Sequence, residues 1–489
     1  MHIISKYFPS EKVKLIRDPI YRFIEVPYEF LPVIDDKLFQ RLRWVSQLPL
    51  EQLVYPSAQH SRFEHSLGTM YLSMLVAITL LNDDISKCRI YNAINEDPNT
   101  EYLKDDMKDQ FFVAATGLTG LLHDVGHAPF SHTLEDSLKY TERDINYNHE
   151  KVGYKIVAEY LINNYHNPSF SESILKDAVA KTVLGVLNKD NPIEKLTPIQ
   201  KIIRTIIDSS LDVDKGDYLL RDSYHCGVSY GCYDSERLWR HVRITEDFTL
   251  GVSPKGAIEA WSLRLARYKM YKNVYKHHVR NITDALLIKI LSNTFDILDS
   301  NDIDNILPIN DSSAITEEIL LKFSFWTDNQ FLKTILELER DKYKGKLDVK
   351  PLVEKFLKRE LPKRYHSIQL EKFGIIELNK DLYLKIKKAI EEINSKFIFV
   401  ILENILPPVF TRDVQASIKV IDDNGEECPL AESLEFSLNK LSPMSELTPE
   451  EPDKYNEPTY SLEIFAPKNI GNEYKDNIEK KLEDVLGSL

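Results

Sequence analysis

The stretch Gly120-Leu-Leu-His123-Asp124-Val-Gly126-His127-Ala-Pro129-Phe-Ser-His132 decides how this chain is read. Ahead of it, Gln110 to Leu122 is nearly all apolar or small, which predicts a buried helix delivering His123 and Asp124 at its C-terminal end. Gly126 and Pro129 then stop the helix. An imidazole and a carboxylate side by side can clasp one divalent cation, and His127 and His132 follow within nine residues. Ionisable groups ending a buried apolar helix need a partner or a metal, because burial without one is costly.

Working outward, Arg62-Phe-Glu-His65-Ser-Leu-Gly68 lies upstream and Asp212-Val-Asp214-Lys215-Gly-Asp217-Tyr218 downstream. Six of the thirteen histidines fall between residues 60 and 149: His60, His65, His123, His127, His132 and His149. Any one alone also fits a capping or hydrogen-bonded structural role. As a set they supply His, His-Asp and Asp, nitrogen and oxygen donors suited to Fe, Mn, Zn or Ni rather than to a thiolate-type site. Arg62 and His65 are three apart and share a helical face, which sets a permanent cation beside a ligand and suits a phosphate. Asp214, Tyr218, Arg221 and Asp222 fall near one helical stripe, although Asp212, Asp214 and Asp217 also fit a solvated acidic face.

The 489 residues exceed what one small core needs, and 43% apolar with 28% charged is ordinary for a globular chain. Four scattered cysteines (Cys88, Cys226, Cys232, Cys428) form no CxxC pair, which fits a reducing cytoplasm. The N-terminus lacks a signal peptide's apolar core, and the apolar run Leu72 to Leu81 is too short to span a bilayer. A net charge of −14 argues against broad wrapping of nucleic acid but leaves room for a local basic pocket. The fold class expected is mainly α: a helical core with a smaller mixed α+β C-terminal region, divided as 13–300 and 301–489. Residues 13–35 read as extended with a turn at Asp18-Pro19, and residues from Asp36 through Leu48 as helical. Leu67 to Leu81 reads as a strong apolar helix and 83–109 as a polar loop or lid. Glu150 to Tyr165 reads as a helix, Ile199 to Arg221 as one or two, and Leu263 to Leu291 as one long helix. Val414 to Ile421 reads as a strand before an Asn424-Gly425 turn, and 426–459 as an acidic surface excursion.

No GxG, no GxxxxGK[ST] and no Gly-x-Ser-x-Gly occurs, so phosphates must be held by Arg, Lys, His and metal. The order His65, His123-Asp124, Asp214 resembles the H…HD…D signature of the HD-domain phosphohydrolase superfamily. Four longer words run Phe39-Gln40-Arg41-Leu42-Arg43, His60-Ser-Arg62-Phe-Glu-His65, His123 to His132, and Asp212 to Asp222. They are similar to the deoxynucleoside triphosphate triphosphohydrolases, dGTPase-like enzymes, in the dGTP-activated branch that joins SAM and HD domains in animals. The likeness runs from about Asp18 to Asp284, and no SAM-like domain is expected ahead of the core.

That resemblance implies an HD-domain helical core in which His65, His123, Asp124 and Asp214 bind one divalent transition metal, with Mg²⁺ accompanying a dNTP substrate. It implies triphosphate contacts from Arg62, Lys215, Tyr218 and Arg267, and sugar or base contacts from Gln47, Leu48, Asp222 and Tyr275. His127, His132 and His149 would lie by the α-phosphate, His132 protonating the leaving 5′-oxygen. Glu135 stands where relatives often carry Asp, and Tyr271 where some carry His. Lys14, Asp35, Gln40 and Arg43 would form a guanine-nucleotide activator pocket, with Arg17 in place of an asparagine and Ser253 in place of an arginine. A homo-oligomer, dimer or tetramer, follows from the same likeness. The alternatives are an HD phosphodiesterase or nucleotidase acting on another phosphoester, or a non-catalytic nucleotide- or nucleic-acid-binding HD protein.

Overall fold

The computed structural model describes residues 3–139, 141–143, 145–165, 173–309, 314–373, 375, 377–403, 418–430, 432–434, 460–467, 470 and 472–486. The chain is mainly helical, as its periodicity predicts. Strands β1 (Val13–Asp18) and β2 (Arg22–Pro27) form an antiparallel hairpin, with the Asp18-Pro19 turn at its tip. Then comes the central helix α1 (Arg62–Leu81), and α2 (Asp84–Glu96) and α3 (Asp105–Leu122) follow it. By length and composition α1 could cross a membrane, but 78% of its apolar window is buried inside the protein, so its apolarity serves the core. It lies along α3, and Gly120 permits the close approach: a Cβ there would sit 2.3 Å from Ser73 Oγ.

Helices α4 (His132–Lys139) and α5 (His149–Ile156) come next, then α6 (Pro198–Ile207) and α7 (Val213–Cys226). Asp212 caps α7 by accepting from the Lys215 amide at 2.8 Å, and Gly227 ends it in the left-handed region (φ 68°). Helices α8 (Ala257–Met270) and α9 (His278–Ile297) complete the part that holds the site.

Three expectations are corrected by the structure. Residues 83–109 are not a loop: α2 forms because Ile90, Ala93 and Ile94 recur on one buried face while Asp83 caps it by accepting from the Ser86 amide. The long helix expected over Leu263 to Leu291 is interrupted by a wide turn at Tyr271–Tyr275 and by His277, whose side chain caps α9. Such an i→i+5 turn re-aims side chains, here Tyr271 and Tyr275, toward a cavity. The helical reading between Asp36 and Leu48 shortens to turns at Lys37–Gln40 and Arg41–Trp44, leaving Leu48 in a loop.

Buried side chains as far along as Phe356, together with Ile398, Val400, Ile418, Val420, Leu430 and Phe465, join one hydrophobic cluster with the N-terminal helices. A second cluster runs from Ile368 to Leu486. It is built on an antiparallel sheet in which Tyr460–Ala466 lies between Lys363–Gln369 and Ile398–Glu403. Val242–Ile244, Leu250–Val252, Lys419–Ile421 and Glu427–Pro429 form a separate four-stranded sheet, with Gly425 at φ 87° in the expected turn. Of the strand expected over Val414 to Ile421, Lys419–Ile421 is a strand, whereas 414–417 and most of the excursion to 459 lie outside the described residues.

Candidate metal centre and substrate cavity

Three helix ends converge on one point. His65 sits on the first turn of α1, His123 and Asp124 follow the last turn of α3, and Asp214 opens α7. His65 Nε2 lies 2.9 Å from Asp214 Oδ1 and 3.7 Å from Asp124 Oδ2. His123 Nε2 lies 3.4 Å from Asp124 Oδ1 and 3.5 Å from Asp214 Oδ1. The ligand atoms of His65, His123 and Asp214 all lie within 4.8 Å of one another.

These residues fit a divalent cation for a reason seen in their second nitrogens. His65 Nδ1 is hydrogen-bonded to Asp217 Oδ2 and His123 Nδ1 to the Gly120 carbonyl, each at 2.8 Å. A proton on each Nδ1 leaves the Nε2 lone pairs aimed at the shared point, the usual orientation of ligating histidines. His123 Nε2 is buried and has no hydrogen-bond partner among the described residues. Burial opposes charge on His65, yet the Asp214 and Asp217 carboxylates outweigh it and raise its pKa to about 10. Burial likewise opposes ionisation of Asp214 and Asp124, but His123 and His65 hold the first, and His123 and Arg62 the second, well below the usual carboxylate range. The cluster demands positive charge at its centre.

Around it, Arg62 Nη1 donates to Asp124 Oδ2 at 2.5 Å and Nε to Ser131 Oγ at 2.9 Å. Burial, Arg62 and His149 together push His127 well below the ordinary histidine pKa, so it stays neutral. Its ring stacks on His149 at 3.8 Å. Glu135 joins the remaining pair: Oε1 lies 2.8 Å from His149 Nδ1 and Oε2 3.1 Å from His132 Nδ1. Burial disfavours the Glu135 carboxylate, yet His132 and His149 hold its pKa far below the usual value. A depressed carboxylate contributes stability that is complete above its unfolded pKa of about 4.3 and is lost as pH falls below it. Glu135→Gln is therefore expected to narrow the difference between urea midpoints at pH 7 and pH 4. An undiminished difference would uncouple Glu135 ionisation from folding.

Every residue expected in the metal, catalytic and substrate sets lines a single cavity of about 510 Å³. Lys215 Nζ pairs with buried Asp212 at 2.5 Å, and the Arg267 guanidinium stands 5.3 Å from the Tyr271 ring centre. Tyr275 donates to Asp222 Oδ2 at 2.6 Å, and His60 Nε2 lies 2.8 Å from Asp222 Oδ1. The activator set lies elsewhere. Arg43 donates to Gln40 Oε1 at 2.7 Å and covers the Phe63 ring, whereas Lys14 and Asp35 are exposed.

Asp212 and Asp217 are fully buried, which rules out the solvated acidic face for them. Sequence reasoning assigned Asp217 no role, although its spacing from Asp214 and the second nitrogen that a ligating histidine must satisfy point to it. It also passed over Arg41, fully buried, whose pKa burial lowers to about 10. Arg41 donates to the Val125, His127 and Trp326 carbonyls and so pins the His123–His127 turn, at 3.1, 2.7 and 2.9 Å. Lys276, Arg280 and Glu51 also line the cavity and were not anticipated.

A helical core that aims two imidazoles and two carboxylates at one point is the site of an HD-domain phosphohydrolase, and the chain belongs to that family. Its residues 62–211 match the HD domain and 233–433 the HD associated region. It is 30% identical to an uncharacterized protein of Methanocaldococcus jannaschii over 491 residues, covering 98% of this chain and 84% of that one. It is 30% identical over 275 residues to the deoxynucleoside triphosphate triphosphohydrolase SAMHD1 homolog of Dictyostelium discoideum. That match covers 56% of this chain and about half (48%) of that relative. The crystal structure of a hypothetical protein from Aquifex aeolicus superposes with a TM-score of 0.61 at 26% identity, covering 96% of this chain and all of that one.

Proposed function

We propose that this protein is a metal-dependent dNTP triphosphohydrolase of the cytoplasm, converting dNTP and water to deoxynucleoside and inorganic triphosphate. The observation that carries the reading is the placement of Arg62, Lys215 and Arg267 in the same cavity as His65, His123, Asp124 and Asp214. A substrate of about four negative charges needs such cations where glycine-loop amides are absent. When bound, an Fe, Mn, Zn or Ni ion would supply Lewis acidity toward the α-phosphoryl group and a lowered pKa for attacking water. Arg62 would hold a phosphoryl oxygen in place, and Tyr218 with Lys215 and Arg267 the β- and γ-phosphates, with Mg²⁺ accompanying the nucleotide. Asp222, fixed by His60 and Tyr275, would meet the sugar, with Gln47 and Leu48 toward the base. Water attacks phosphorus, the bond from phosphorus to the 5′-oxygen breaks, and His132, oriented by Glu135, protonates that oxygen. His127 and His149 would stand against the α-phosphate.

Chromatography of the products from each dNTP tests the reading. Deoxynucleoside with tripolyphosphate supports it. Deoxynucleoside monophosphate, or turnover only of another phosphoester, replaces it with the phosphodiesterase or nucleotidase reading. Residues 13–300 would be the catalytic unit, and the remainder an accessory or oligomerisation region. The Lys14, Asp35, Gln40 and Arg43 set would take dGTP or GTP and favour a dimer or tetramer through its greater affinity for the assembled state. Asp35→Ala is expected to abolish dGTP stimulation of dATP hydrolysis and any dGTP-driven rise in mass by light scattering, with metal content unchanged. Maximal dATP turnover without guanine nucleotide would mark a constitutive enzyme.

A further inference from the structure

We propose that Asp18 and Arg221 are positioning residues for His65, acting through Asp217 from the tip of the N-terminal hairpin. The proposal rests on the reading of His65 as a metal ligand. Arg221 donates from Nε to Asp217 Oδ2 and from Nη2 to Oδ1, both at 2.8 Å, a two-point clamp that fixes the carboxylate plane. The clamped Oδ2 is the oxygen that meets His65 Nδ1 at 2.8 Å, with Thr69 Oγ1 farther off at 3.4 Å. The third guanidinium contact, from Nη1, goes to Asp18 Oδ2 at 2.7 Å across 203 residues of chain. Asp18 is itself held, because its Oδ1 accepts from the Ile20 and Tyr21 amides at 2.8 and 3.0 Å.

The arrangement is fully enclosed: the side chains of Arg221 and Asp217 are 0% exposed and that of Asp18 is 4% exposed. Buried ions carry a desolvation cost that an apolar cluster of the same volume avoids, so stability alone is a poor reason for this chain of charges. Space has been reserved for it. Gly68 lies on α1 a turn beyond His65, and a Cβ there would fall 2.0 Å from Asp217 Oδ1 and 2.4 Å from Arg221 Nη2. A hairpin more than forty residues before His65 in sequence thus sets the tilt of its imidazole.

Co²⁺ alone is the probe. Affinity of the metal-free protein is read by competition with a chromophoric chelator, and ligand geometry by the visible bands of the cobalt form. Asp217→Asn is expected to weaken Co²⁺ binding about 10- to 100-fold and Asp18→Ala about 10-fold, both with shifted bands. The double variant should be no weaker than Asp217→Asn within about twofold, since both act through one ring. Asp18→Asn keeps an acceptor for Arg221 and should recover most of the affinity. If Asp18→Ala does not fold, Arg221→Lys takes its place, because an ammonium cannot make the three contacts at once. Unchanged affinity and bands in a folded Asp18 or Arg221 variant, even with a lowered Tm, would overturn the proposal, as would losses that multiply in the double variant. The readout contains no nucleotide, so it stands apart from the substrate assignment. A wild-type protein that takes up no Co²⁺ would sink the metal reading and this proposal with it.

Discussion

Protein purified with His123→Ala or Asp124→Ala is expected to carry less than about a tenth of the transition metal found in the wild type, which should hold about one ion per chain. The expectation follows from how the donors are prepared. His123 Nε2 is buried with no hydrogen-bond partner among the described residues, and its other nitrogen is committed to the Gly120 carbonyl. Asp124 is kept ionised against burial by His123 and Arg62. Loss of supporting contacts around a metal typically weakens it about 10- to 100-fold, and loss of a ligand removes more. Elemental analysis of the three proteins decides it, and equal metal content in all three would end the assignment. Nucleotide hydrolysis should fall with the metal, since each proposed substrate contact lies in the same cavity.

Arg62→Ala is expected to lower kcat/KM by about two orders of magnitude, on the order of 3 kcal/mol of transition-state stabilisation, as when a preorganised donor to a developing oxyanion is lost. Arg62 is 4% exposed, and two side chains, Ser131 and Asp124, fix its guanidinium beside the metal position, so it is set before any substrate arrives. Alanine suits a helix start, and a bound cation continues to balance Asp124, so the loaded variant should remain folded. Kinetics are to be compared on samples of matched metal content. Turnover near that of the wild type would make Arg62 a structural partner of Asp124 and nothing more.

The legible part of this protein lay in local pattern. The apolar run before His123 announced both the helix and the residue at which it ends, because burial of one whole segment is written in consecutive residues. The three-residue spacing of Arg62 and His65 announced that they share a face of α1. Helix α2 escaped for a matching reason: its charged outer face dominates the composition, and only Ile90, Ala93 and Ile94 mark its inner one. The break at Tyr271–Tyr275 escaped because an extra residue in one helical turn leaves no compositional trace.

By itself the sequence determined the donor types, their order along the chain and the ends of the helices that carry them, since each is a matter of neighbouring residues. Only the tertiary structure decided that Asp217 serves His65, that Asp222 is gripped by His60 and Tyr275, that Arg41 pins the His123–His127 turn, and that Asp18 reaches Arg221. Those partners stand 152, 162, 53, 86 and 203 residues apart. The physical reason is that periodicity tells a side chain only to be buried, whereas the group it meets there depends on which helices pack together and at what depth. That is settled by the shapes of whole faces, with small residues such as Gly68 and Gly120 deciding how closely they come.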